Sequence, residues 1–504
     1  MKFDFKQSVI LSATTVAIVL VLLNLVSRNW FKRLDLTDNK MYSLSESSKN
    51  VLDQIDDLLT IKVYFSDDLP GEYGNNRRYL QDILEEYEAI SDGNLRFEFY
   101  KPESDQKLEE EAQKTGIQPV QLQVVENDKM EVKRVLMGLT IHYEDQKEVI
   151  PLIQSTTGLE YEISTKIKKL VDTNKTIIAM ADTDDKSNSK NQNISSLLRQ
   201  RYQVRNVNLS TVVSENIDVI LINGVEDSLS SEVKKNLIDF ISRGGNVFLA
   251  QGRIHTDLQT QQATPIQSDI FDLLNTYGIT IAENLVLDKH CSRVSVQQNM
   301  GFIRMNVPME YPFLPIVRNF NEDEAMVSGL EQLSVFFPSE IMMDSLLENV
   351  NITPLFSSSK KSSTMSGNYN LNPDPKANPA LRMLNQKGKS LAVRTEITNS
   401  ETGTLGQLIL VSDSRFMLDD GGGGIPENHI FLMNAVDYLA GDQELIKLRS
   451  REITNRPLEE ISDEAKKTWK WVNITLPSLL IVGFGFFRLQ RQRQRASIME
   501  EIYD

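Results

Sequence analysis

Three apolar runs in this chain each end on polar residues that could hold or act on a ligand. "TIIAMAD" (Thr176 to Asp182) is followed by Asp184 and Asp185, "NVFLAQG" (Asn246 to Gly252) by Arg253, and "QLILVSD" (Gln407 to Asp413) by Ser414 and Arg415. In open parallel sheets, ligands gather beyond the carboxyl ends of strands, where the strand order reverses. Carboxylates paired there could hydrolyse a glycan, which needs two carboxyls about 5–9.5 Å apart. An arginine and a serine could instead hold a polar ligand. The candidate groove residues are therefore Asp182, Asp184, Arg253, Asp413 and Ser414, although loop and capping residues collect at strand ends in any case.

Other chemistry finds no residues to carry it. Nucleotide hydrolysis would need a G-x-x-x-x-G-K-[ST] loop, in which backbone amides cradle phosphate and the lysine offsets its charge. None occurs, and "DDGGGGIPEN" (Asp419 to Asn428) is Gly-rich without that Lys or Ser/Thr, so it reads as a flexible connection. The lone Cys291 follows His290 directly, and neighbours on an extended chain point to opposite faces, which disfavours an activated pair. No G-x-S-x-G elbow is present, and four scattered histidines lack HExxH or HxH spacing. We assign no catalytic residue, no cofactor-binding residue, no cofactor and no metal, and read the chain as non-enzymatic.

The elements around these residues suggest an α/β protein of more than one domain, since 504 residues exceed the about 250–300 at which single cores stop growing. Behind Leu34, Ser43 and Glu46 have capping-box spacing. "TIKVYFS" and "LRFEFYK" read as strands around a helical "NRRYLQDILEEYEAI", and residues 120–153 alternate like two or three antiparallel strands. This β-α-β-α-β-β order over 34–155 suggests a thioredoxin-like domain without the CxxC of redox chemistry. From 156 to 450, continuous apolar strands separated by amphipathic helices suggest a doubly wound parallel sheet of flavodoxin or amidotransferase type. Residues 265–400 are harder to read, and the Ser/Asn/Pro/Lys-rich 357–379 is taken as a mobile loop.

Two apolar segments flank this body. Residues 9–26 carry no charge and meet the roughly 18-residue minimum for a bilayer span, and bulky residues behind them favour an anchor over a cleaved leader. Residues 471–487 are shorter, with Trp469 and Trp471 at one end and Arg488, Arg491, Arg493 and Arg495 at the other. Tryptophans sit at membrane interfaces, and basic residues mark the cytoplasmic side. The expected layout is a cytoplasmic 1–8, a span at 9–26, the two domains, a juxtamembrane linker at 451–470, a span at 471–487 and a basic cytoplasmic tail at 488–504. The body would then lie in a periplasm, with both termini inside the cell. A net charge of −16 and a pI near 5.0 argue against a nucleic-acid partner.

Several stretches, in order, resemble the gliding-motility-associated ABC transporter auxiliary family. They are "LDLTDNKMYSLSESSKNVL", "IDVILINGVEDSLSSEVKKNLIDFISRGGNVFLA" and "ILVSDSRFM…NHIFLMNAVDYLAGDQELIKLRSRE", followed by a last span with trailing arginines. The resemblance implies a membrane-anchored extracytoplasmic component, substrate-binding-like, that accompanies a multi-span permease and a separate ATPase. Partners would include these two, membrane lipid and an envelope ligand. An envelope-glycan hydrolase and a passive envelope scaffold are the alternatives.

Overall fold

The computed structural model describes residues 16, 43–67, 69, 71–102, 105–126, 129–172, 176–182, 190–300, 303–344, 346–442, 446 and 463–503. The expected span at 9–26 lies outside these apart from Val16, as do 1–8, Asp184, Asp185 and residues 451–462 of the linker. The chain forms two compact units, residues 1–454 and 455–504.

In the first unit, Leu59–Phe65 runs parallel to Leu95–Tyr100 and antiparallel to Met137–Tyr143, which in turn pairs with Gln146–Ile150. Val120–Glu126 and Lys129–Val135 form a separate hairpin, so the stretch expected to hold two or three strands holds four. The helix Leu159–Val171, assigned by sequence to the second domain, buries Ile163, Ile167 and Leu170 with Leu59, Ile61 and Leu139 of the first sheet. The capping-box expectation is corrected as well. Ser45, not Ser43, caps the helix Glu46–Leu52, its Oγ accepting from Ser48 N at 3.1 Å. Glu160, 115 residues away, takes the role expected of Glu46, accepting from Ser45 N at 2.8 Å and from Ser48 Oγ at 2.6 Å.

The second sheet has eight strands. Five are parallel, in the spatial order Gln203–Asn208, Ile177–Asp182, Val219–Asn223, Asn246–Ala250 and Leu405–Val411. Ser390–Thr398, Val350–Ser357 and Asn319–Phe320 then continue the sheet antiparallel, so it is mixed rather than wholly parallel. The unbroken apolar runs follow from burial on both faces. Ile178, Leu221, Phe248 and Ile409 enter one core, while Ala179, Ile220, Val247 and Leu408 enter the other. Each fully buried Val, Leu, Ile or Phe of this kind stabilises the fold by about 1.5–3 kcal/mol.

The segment 357–379 is not the expected loop. Ser362–Met365 pairs with Leu285–Asp288, Asn370 bridges to Gln262, and Tyr369 and Leu371 are buried with Phe313. Its polar composition misleads because asparagines and serines satisfy its own backbone: Asn378 Nδ2 donates to Asn370 O at 2.6 Å.

The second unit contains the helix Asp463–Tyr503, which runs unbroken through Pro477 and the arginines. Within it, Ala465–Arg493 is long and apolar enough to cross a membrane, further at both ends than the expected 471–487. Its apolar side chains are exposed, Ile481 at 74% and Phe486 at 71%.

The first unit is pinned by a buried charge cluster. Arg201 donates to Asp437 and Asp442, each at 2.8 Å, and Lys168 reaches Asp442 at 2.6 Å. Burial works against the charge on Arg201, but Asp437, helped by Tyr202, Tyr161 and Asp442, more than offsets it and holds the guanidinium above its ordinary range. Removing one member of such a pair strands the other in a low dielectric. Asp437→Ala should therefore cost about 3–5 kcal/mol in urea unfolding of the detergent-solubilised chain. Glu46→Ala, which breaks the exposed Glu46–Lys49 pair, should cost under about 1 kcal/mol.

Candidate functional site at the carboxyl ends of the strands

Strand order in the parallel block reverses between Ile177–Asp182 and Val219–Asn223: the chain leaves the first of these to one side and returns on the other. Asp182 and Asn223 stand at this switch point. Leu209 N donates to the Asp182 carbonyl at 3.2 Å, and Asn223 Oδ1 is buried with no hydrogen-bond partner among the described residues. Gly224 follows at φ +61°, and a Cβ there would come within 3.2 Å of the Ser414 carbonyl.

Arg253, Asp413 and Ser414 are brought together two strands further along, past Asn246–Ala250 and Leu405–Val411. Ser414 Oγ accepts from Gly252 N at 2.8 Å. Ser339 joins both strand ends: its N donates to Ser412 O at 3.1 Å, and its Oγ accepts from Arg253 N at 3.1 Å. The Arg253 guanidinium lies 3.7 Å from the centroid of the Phe271 ring, and its Nε is buried without a hydrogen-bond partner. Gln251, wholly buried, accepts from Val225 N at 2.6 Å and donates to Val225 O at 3.0 Å. Sequence reasoning missed Asn223, Gln251 and Ser339, which are single polar residues beside apolar runs and carry no spacing signal.

Asp413 faces inward. It is fully buried, with one carboxylate oxygen accepting from Phe336 N at 2.8 Å and the other from Arg415 N at 2.7 Å. It positions the loop at 335–340 and is closed to solvent. Three strand spacings separate its strand from that of Asp182, about 14 Å between backbones at about 4.8 Å per step. What removes Asp413 from a glycosidase pair is its burial, with both carboxylate oxygens bonded to backbone N–H groups and none turned to a cleft.

The Gly-rich segment is packed, not slack. A Cβ on Gly421, Gly422 or Gly423 would meet the carbonyls of Arg415, Phe416 and Met417 at 2.3–2.4 Å. This turn sets Asp419 to accept from Gln192 N at 3.0 Å and Asn193 N at 2.9 Å at the start of the helix Gln192–Arg199. Burial pushes the Cys291 thiol up, away from the reactive thiolate. Among the described residues no group of three or more His, Cys, Asp or Glu could hold a metal. At the opposite ends of the strands, a cavity of about 410 Å³ is lined by Lys168, Lys169, Arg199 and Arg201. Most of these cations are already held, Lys169 by Glu148 at 2.6 Å and the other pairs by Asp437 and Asp442.

Burial raises the Asp413 carboxyl to about 7, against the pull of the two backbone N–H groups and the Arg415 guanidinium. The folded chain therefore binds more protons than the unfolded one between about pH 4 and pH 7. The contribution of this group to stability is full below that window and is lost as pH rises through about 7. Urea unfolding followed by circular dichroism should show stability falling by roughly 2–3 kcal/mol from about pH 5 to 8. Asp413→Asn should flatten that slope. It should also cost about 1–3 kcal/mol throughout, because its amide group turns a donor toward one of the two N–H groups.

A family described as an ABC-type uncharacterized transport system matches residues 174–431, and a domain family of unknown function matches 38–142. An uncharacterized protein of Borreliella burgdorferi is 25% identical, over 97% of this chain and 99% of its own length. Among solved structures, the mmIFT52 N-terminal domain is 11% identical with a TM-score of 0.35, over 53% of this chain and 97% of its own. A thua-like protein from Bacteroides uniformis is 10% identical with a TM-score of 0.30, over 52% and 91%. Those two likenesses are too distant to bear on fold or function. The match over 174–431 takes in the mixed sheet and every candidate residue at its strand ends, and by it the chain belongs to the auxiliary family of ABC-type transport systems.

Proposed function

We propose that this chain is a non-enzymatic, membrane-anchored accessory subunit of an ABC-type transporter, of export or gliding-motility type, which acts by binding. Its α/β body lies outside the cytoplasm, substrate-binding-like, between spans at the two ends, and both termini lie inside the cell. A multi-span permease and a separate ATPase are its partners, with lipid around the spans and an envelope ligand or protein against the body.

The family match over residues 174–431 carries this reading. The helix Asp463–Tyr503 supports it, since side chains as apolar as Leu480 and Phe484 are 64% and 68% exposed and suit hydrocarbon better than water. The arginines behind that stretch support a cytoplasmic C-terminus, because they stabilise the state in which they need not cross. Binding is favoured over hydrolysis by the closed environment of Asp413.

Purification in mild detergent should recover the chain with a permease and an ATPase; recovery alone would overturn the assignment. Alkaline phosphatase, which works only outside the cytoplasm, should be inactive when fused behind Asp504 and active when inserted in the exposed turn at 400–403. Activity behind Asp504 would reverse the orientation.

A further inference from the structure

We propose that a groove along the strand Cys291–Met300 docks an extended, acid-flanked peptide segment of another polypeptide, which joins the open edge of that strand as an additional strand. The groove, about 550 Å³, is lined by Val294, Ser295, Val296 and Gln297 in succession. Side chains alternate faces along a strand, so contact with four consecutive residues brings the groove to the backbone of this strand, while Tyr311 and Leu314 of the paired strand carry it across the adjoining face. Among the described residues this strand pairs with Ile303–Val317 only.

Pro308 sits opposite Ser295 in that pairing. A proline has no N–H to give, and it fits a ladder where its nitrogen faces outward. Ser295 and Pro308 are then a non-hydrogen-bonded pair, and Ser295 and Gln297 turn their N–H and C=O groups to the open edge. An unpaired edge of this kind is a template for strand addition.

The rest of the groove fits a peptide. Tyr311, Phe336 and Phe337 supply an aromatic wall for apolar side chains. Arg415 and Asp420 also line the groove and pair with each other at 3.0 Å, so together they add no net charge to it. Charge points the same way. On a chain of net charge −16, the arm 291–317 carries Arg293 and Arg304 and one acid, Glu310, which Lys289 already holds at 2.5 Å. The groove is also held rigidly. Two of the four non-glycine residues with positive φ among the described residues line it, Gln261 at +57° and Phe337 at +53°. Backbone strain persists only where the surroundings over-determine it. Here Phe337 N donates to Phe313 O at 2.9 Å, and Leu371 N donates to Gln261 O at 3.1 Å. The proposal stands whether or not the chain serves a transporter.

The test uses the full chain in detergent and a fluorescent octapeptide, Glu-Val-Thr-Val-Thr-Val-Thr-Glu, read by polarisation and by residue-resolved amide hydrogen exchange. Saturable binding is expected, with exchange at Ser295 and Gln297 slowed about tenfold or more while Val294 and Val296, already in the ladder, stay unchanged. A peptide with its second and third Val-Thr pairs changed to Pro-Thr should bind at least about tenfold more weakly. Ser295→Pro, which removes an outward N–H and no ladder bond, should weaken binding similarly. If its circular dichroism shows misfolding, Arg293→Glu, at the exposed position next to Val294 on the same strand, should lower affinity several-fold instead. No saturable binding below about 1 mM would overturn the proposal. So would binding that leaves both amides unprotected, or equal binding of the proline peptide. Protection of Ser295 and Gln297 that grows with protein concentration, without peptide, would overturn it in favour of pairing between two copies.

Discussion

The contact of Arg201 with Asp437 and Asp442 is the interaction on which the larger unit depends. Arg201 lies between the helix Gln192–Arg199 and the strand Gln203–Asn208, Asp437 lies in the helix Pro426–Leu439, and Asp442 also receives Lys168 from the helix Leu159–Val171. That last helix belongs to the first core by its apolar face. One buried cluster thus fastens the first sheet to helices covering one face of the second. A buried ion pair is seldom the most stabilising way to fill a space, but it tolerates few alternative geometries. Apolar faces can slide over one another; a forked guanidinium set between two carboxylates has far less freedom.

With the two cores held in register, the strand-end region reads as a set of braces. Gln251 locks the turn at Val225, Ser339 spans two strand ends, and Asp413 grips the backbone on both sides of itself. The polar groups there are spent largely on positioning loops. The open surface lies further out, against the hairpin arm at 291–317, where strand edges and aromatic rings replace charged clusters.

How far the sequence was legible follows from the range of the forces involved. Strands such as Val219–Asn223 and Asn246–Ala250 were readable because burial on both faces makes every residue apolar. Their stopping points were readable for the same reason, which is why Asp182, Arg253, Asp413 and Ser414 were found at strand ends. Their roles were not. Whether Asp413 faces water or backbone depends on the loop carrying Phe336, seventy-seven residues earlier. The true partner of the first helix cap, Glu160, is likewise distant, while a nearer Ser43 and Glu46 offered the same spacing by accident. Segment 357–379 misled because hydrogen bonding among its own asparagines and serines resembles, in composition, bonding to water.

The last helix does not end where its apolar stretch does. Tyr503 lies sixteen residues beyond Phe487, and at about 1.5 Å per residue these extend the rod by roughly 24 Å. Arg488 and Arg491 lie on that extension, with the Arg491 guanidinium 5.4 Å from the Phe487 ring. The arginines therefore sit on a stiff lever rather than a loose end. A sideways force on its far tip would be felt as tilt at Trp469, a mechanical linkage that a floppy tail could not provide.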